Sequence, residues 1–111
     1  MGTIFQKIIN REIQADFIYE DDQVCAFRDI SPQAPVHILV IPKKPISGIS
    51  EMAEEDEALI GKLMYRARCI AAEQKLEDYR LIINNGAGAG QTVFHLHVHL
   101  LGGRSFNWPP G

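Results

Sequence analysis

"TVFHLHVHLLGG", Thr92 to Gly103, places His95, His97 and His99 at every second position, with Leu96 and Val98 in the gaps. On a helix of about 3.6 residues per turn, side chains two apart diverge by roughly 200°, which would scatter the three rings. A strand gathers them. Its side chains alternate between faces, so the histidines share one face while Phe94, Leu96, Val98 and Leu100 share the other. Neighbouring histidines then start roughly 6.6 Å apart at Cα, close enough for the imidazoles to surround one small group. An ordinary solvated strand face would be served as well by Thr, Lys or Gln. Clustered groups that perturb one another's pKa values are typical of functional sites.

The neighbouring segments supply a sheet for this strand. "YRLIINN" reads as a further strand, joined to the histidine strand by "GAGAGQ", a glycine-rich hairpin connection. "VHILVIP" is so apolar on both faces that it should be central in the sheet and covered on each side, with Pro42 and Pro45 ending it. "DFIYED" and "QVCAFRD" flank Asp21 and Asp22 and predict a hairpin. "DISPQAP" is a loop, because Pro32 and Pro35 withhold backbone donors and fix φ.

Two segments follow a helical period. From about Glu54 to Lys75, the residues Leu59, Ile60, Leu63, Met64, Ala67, Ile70 and Ala71 form an amphipathic stripe. Its acidic start and the basic Lys62, Arg66, Arg68 and Lys75 complement the helix dipole, and the charge run reads as a solvated face. "TIFQKIIN" predicts a short helix with Ile4, Phe5 and Ile8 on one side.

At 111 residues and 46% hydrophobic composition, residues 1–111 form one domain around one core. A net charge of -3 and the lack of a Lys/Arg stripe argue against a nucleic-acid groove. Cys25 and Cys69 have no CxxC spacing and read as reduced core residues. There is no secretory pattern at the N-terminus, and no apolar run approaches the roughly 20 residues of a membrane span. A cytoplasmic protein without a membrane partner is expected.

Two chemistries suit the histidine face. Neutral imidazoles are good zinc ligands, and a catalytic zinc site takes three protein ligands plus water. Such sites usually add a carboxylate base and acids that orient the rings, and no Asp or Glu follows Tyr79. Asp29 and His37 can still approach through the fold, so the metal reading stays open. The other chemistry is covalent, with a neutral imidazole nitrogen attacking phosphorus. Gly86, Gly88 and Gly90 would let backbone N–H groups approach a phosphate, although the Lys of a nucleotide-binding P-loop is missing.

Together, "GQTVF" and "HLHVHLL" resemble the signature of the histidine triad (HIT) family. "IFQKIIN", "FRDISPQAPVHILVIPKK", "YRLIINN", "LLGGR" and "WPPG" resemble its Hint branch, the purine nucleoside phosphoramidases, over nearly the whole chain. The resemblance implies an α+β fold with a five-stranded antiparallel sheet, one long and one short helix, and a homodimer in which the two sheets continue into one. It implies hydrolysis of purine nucleoside 5′-phosphoramidates, or aminoacyl-type adenylates, to a nucleoside monophosphate and an amine, with no cofactor and no metal.

Residue by residue, the resemblance makes His97 the nucleophile that forms a nucleotidyl-histidine. His99 would contact the phosphate and the leaving group, with His95 and His37 supporting. Asp29 would hold the ribose, while Phe5, Ile8, Phe27 and Ile30 would line the purine slot. Asn84, Gly90, Gln91 and Thr92 would surround the phosphate, Val93 would also contact the substrate, and Trp108 would reach across the dimer. Arg28 and Thr92 stand where the branch is expected to carry His and Ser or an acid. Thr92 keeps a hydroxyl and is the candidate for protonating the departing amine. A nucleotide-responsive binding module and a dinucleoside polyphosphate hydrolase are the competing functions.

Overall fold

The computed structural model describes residues 2–111. The chain runs as helix α1 (Ile4–Ile9), strands β1 (Phe17–Glu20), β2 (Val24–Arg28) and β3 (Val36–Pro42), helix α2 (Glu57–Glu73), and strands β4 (Tyr79–Ile82) and β5 (Val98–Gly102). The strands form one antiparallel sheet in the order β1-β2-β3-β5-β4. β3 is central, as its double-sided apolarity requires.

Alternation along β3 divides the core in two. Ile38 and Val40 join Val24, Ala26, Val98 and Leu100 beneath Leu63, Ala67, Ile70 and Ala71 of α2. Leu39 and Ile41 join Cys25 and Phe27 on the opposite face, under Phe5 and Ile8 of α1. Fully burying each such aliphatic side chain contributes about 1.5–3 kcal/mol, so both layers stabilise the sheet.

α1 starts where the Thr3 hydroxyl accepts the Gln6 N–H at 3.2 Å, an N-cap that satisfies one orphan donor of the helix. Ile4 is exposed, whereas Phe5 and Ile8 are buried. The acidic approach to α2 is not wholly solvated either. Asp56 is buried and accepts Lys44 Nζ at 2.6 Å and the Ala53 N–H at 2.8 Å. Lys75 lies beyond the helix end, and the last turn of α2 carries no basic residue. Lys62 instead ties α2 to the β1–β2 turn through Asp21 at 3.2 Å and Gln23 at 2.9 Å. Cys25 is buried, with its thiol pushed up to about 11 chiefly by desolvation, while Cys69 is half-buried.

The histidine segment departs from the expected strand. β5 begins only at Val98, so His95 and His97 precede the ladder, and a long connection rather than a tight hairpin joins β4 to β5. The Leu96 N–H bonds to the Ile46 carbonyl at 2.6 Å, and the Pro42 carbonyl at the end of β3 is taken by the His95 ring at 2.7 Å. Those two bonds occupy the backbone groups through which the ladder would have continued. The facing pattern survives in part: Leu96, Val98 and Leu100 lie in the α2 layer, whereas Phe94 is half-exposed.

Candidate active site

His99 enters from β5 opposite Leu39 of β3, on the α1 side of the sheet. His97 packs beside it, with ring centroids 4.9 Å apart, and meets the edge of Phe5 at 4.9 Å. His37 comes from the start of β3, and its Nε2 lies 2.9 Å from His99 Nδ1. His95 sits behind them, fully buried.

Backbone carbonyls dictate two of the four tautomers, since a carbonyl oxygen only accepts. His95 donates from Nε2 to the Pro42 carbonyl at 2.7 Å. His97 donates from Nδ1 to the His95 carbonyl at 2.6 Å, which leaves its Nε2 with a free lone pair in the neutral ring. Neutrality is favoured throughout. Desolvation by burial lowers the pKa of His37, His95 and His97 below the usual 6.5. It pushes His99 down to about 4, helped by the neighbouring His97 and His37.

Asp29 follows the end of β2. Its Oδ1 accepts the Ser31 N–H at 2.8 Å, and its Oδ2 lies 3.5 Å from His37 Nε2. Asp29, His37 and His99 each bring one ligand atom within 4.8 Å of the others, a grouping that spans two sheet strands and a loop.

His97 and His99 form one end of a cavity of about 290 Å³. Phe5, Ile8, Phe27, Asp29, Ile30, Thr92 and Val93 also line it. Ile30 stands at the mouth, 92% exposed. Ile13, Gln14, Ala15 and Leu39 line the cavity too and were not singled out from sequence. For Leu39 the signal was available in the alternation of β3; the others lie on the connection after α1, whose path only packing determines. Arg28 lies at the rim and pairs with Asp16 at 3.2 Å.

Four expected members stand apart. Gln91 is buried and its amide is fully employed within the loop: Oε1 accepts the Gly86 N–H at 2.8 Å, and Nε2 donates to Ser47 and Val93 carbonyls at 2.8 and 3.1 Å. It therefore shapes the glycine loop instead of offering its side chain to a phosphate. Gly90, at φ 94°, belongs to that turn and lies outside the cavity lining. Asn84 and Trp108 line a separate open depression beside β4, and Trp108 is 84% exposed.

A buried row of neutral imidazoles opening on a largely apolar slot is an arrangement suited to nucleophilic attack on a bound phosphoryl group. Comparisons with known proteins identify the family. The HIT domain matches residues 10–106. An uncharacterized HIT-like protein of Synechococcus elongatus is 61% identical over 98% of this chain and 96% of its own length. A 14 kDa zinc-binding protein of Zea mays is 52% identical over 98% and 88%. Among solved structures, a HIT family hydrolase from Legionella pneumophila superposes with a TM-score of 0.94 at 46% identity, covering 97% of this chain and 98% of that one. A histidine triad protein from Clostridium difficile gives 0.90 at 39% identity, covering 94% and 92%. With its alternating histidines leading into such a sheet and nearly its whole length matched in this way, the chain belongs to the HIT family.

Proposed function

We propose that the protein hydrolyses the P–N bond of purine nucleoside 5′-phosphoramidates through a nucleotidyl-His97 intermediate. The observation that carries this reading is the bond from His97 Nδ1 to the His95 carbonyl, which leaves Nε2 of a cavity-lining ring deprotonated. The purine would occupy the slot between Phe5, Ile8, Phe27 and Ile30, with the ribose near Asp29. His97 Nε2 attacks phosphorus, the P–N bond breaks, and the amine leaves with a proton that the Thr92 hydroxyl, exposed at the cavity, relays from solvent. Water then attacks the same phosphorus and gives up a proton to solvent, the P–Nε2 bond breaks, and the nucleoside monophosphate departs, leaving His97 neutral. Burial favours this path, because a desolvated imidazole stays neutral and nucleophilic near pH 7.

The working unit in this reading is a cytoplasmic homodimer. β4 is an edge strand of the sheet, and the exposed Trp108 lies beside it. Edge pairing of β4 with a second copy would extend the sheet and give Trp108 a partner. Among the described residues, no helix is long and apolar enough to cross a membrane.

The test is a rapid quench with labelled adenosine 5′-phosphoramidate. A transient adenylyl group on His97, absent in His97→Ala, is the expected result. A faster turnover of a dinucleoside polyphosphate under the same conditions would assign the other substrate class, and binding of a nucleoside monophosphate without turnover would make the protein a binding module. Light scattering of the purified protein decides the dimer.

A further inference from the structure

We propose that the backbone N–H of Gln33 sets the proton positions on His37 and His99, making His99 an Nε2–H donor and denying the Asp29–His37–His99 cluster to a metal ion. The catalytic half of this proposal rests on the nucleotidyl-transfer reading above; the metal half does not.

Gln33 lies in the loop between β2 and β3, and its N–H donates to His37 Nδ1 at 3.0 Å. An amide N–H cannot accept, so Nδ1 must present its lone pair. The single proton of the neutral His37 ring is then on Nε2. His37 Nε2 lies 2.9 Å from His99 Nδ1 and 3.5 Å from Asp29 Oδ2, and the shorter contact has hydrogen-bond geometry. His99 Nδ1 consequently accepts, and the proton of His99 is on Nε2. The reverse arrangement would put a proton on His37 Nδ1, aimed at the Gln33 N–H from 3.0 Å. Two donors would face each other with no acceptor between them.

Two neighbouring rings, His97 and His99, thereby hold opposite tautomers. The His95 carbonyl keeps the proton of His97 on Nδ1 and frees Nε2 to attack. Gln33, acting through His37, keeps the proton of His99 on Nε2, where it can donate to a phosphoryl oxygen. Gln33 is a positioning residue through its main chain alone. Its side chain bonds to the Ser31 carbonyl at 3.0 Å and points away from this relay.

The same bond bears on metal binding. Two imidazoles and a carboxylate within 4.8 Å are a donor set that zinc accepts in type and spacing. A metal at this point would need the lone pair of His37 Nε2, because imidazole ligates only through an unprotonated nitrogen. Gln33 holds the proton there. The donors therefore fit a metal ion in position but not in protonation, and no catalytic step is routed through one.

Nitrogen-15 NMR of labelled wild-type protein tests the assignment directly. The expected spectrum shows His37 and His99 with pyrrole-type Nε2 and pyridine-type Nδ1, and His97 with the opposite pattern. An amide-to-ester replacement at the Pro32–Gln33 bond removes only the N–H, and Gln33→Pro removes it genetically. Both should lose the fixed tautomers of His37 and His99. Both should also form the nucleotidyl-enzyme about tenfold to hundredfold more slowly, the usual effect of disturbing a group that orients a catalytic histidine, and both should bind Zn2+ measurably more tightly than wild type by calorimetry, because His37 Nε2 is then free to present its lone pair. Gln33→Ala keeps the N–H and should keep the tautomers. If Gln33→Pro fails to fold, the ester decides. A wild-type His37 protonated on Nδ1, or an ester variant with unchanged tautomers and zinc affinity, overturns the proposal. Absence of any nucleotidyl-enzyme in wild type defeats the functional reading alone, because the spectra and calorimetry still decide the role of Gln33.

Discussion

The two faces of one sheet have been given to different tasks. Beneath α2 the packing is dry and aliphatic, with Ile38, Val40, Val98 and Leu100 fully buried. Beneath α1 the same strands carry His37 and His99, and the layer opens into the 290 Å³ slot. Successive residues of β3 and β5 thus alternate between the aliphatic core and the face that carries the candidate site. A fold can tolerate buried titratable groups on one face because the other face supplies an uninterrupted core.

The comparison predicts that mutations on the two faces separate activity from stability. His97→Ala should lower kcat by several orders of magnitude, as loss of a covalent nucleophile does, while nucleoside monophosphate binding persists in calorimetry. Leu100→Ala, on the α2 face, should cost about 2–5 kcal/mol in urea unfolding yet leave kcat of the folded fraction intact. If Leu100→Ala abolished turnover at full folding, the division of labour would be wrong.

A smaller effect comes from pH. The folded-state pKa values of all four histidines lie below the unfolded 6.5, so the unfolded chain binds more protons below that point. Their contribution to stability is fully present above pH 6.5 and is lost as pH falls through the folded values. The acid limb of kcat/KM should likewise sit below pH 6.5, since protonated His97 cannot attack. A limb above pH 6.5 would contradict the buried neutral site.

The smallest effect is expected at the mouth of the slot. Ile30 is 92% exposed, so Ile30→Ala should change stability by no more than about 0.5 kcal/mol. It should raise KM by about tenfold, on the order of the 1.5 kcal/mol gained when a substrate covers that side chain. An unchanged KM would remove Ile30 from substrate binding.

Much of the fold was legible in local pattern. The apolar run of β3, the hairpin of β1 and β2 and the stripe of α2 each carry a period that a single packing solution satisfies. The histidine segment was legible only in its facing. Its backbone path was decided by two remote bonds, from Leu96 to Ile46 and from the His95 ring to Pro42. Gln91 looked like a phosphate ligand beside a glycine loop, yet Ser47, across a long sequence separation, takes part of its amide. The acids before α2 looked alike, and only the approach of Lys44 singles out Asp56.

By itself, then, the sequence determined that three imidazoles gather on the chemical side of a sheet, because alternation is a local property of the backbone. The family resemblance carried in its motifs singled out His97. Only the tertiary structure decided which nitrogen of each ring carries the proton. That choice depends on the carbonyls of Pro42 and His95 and the amide of Gln33, groups every residue possesses and that only folding brings to a particular ring.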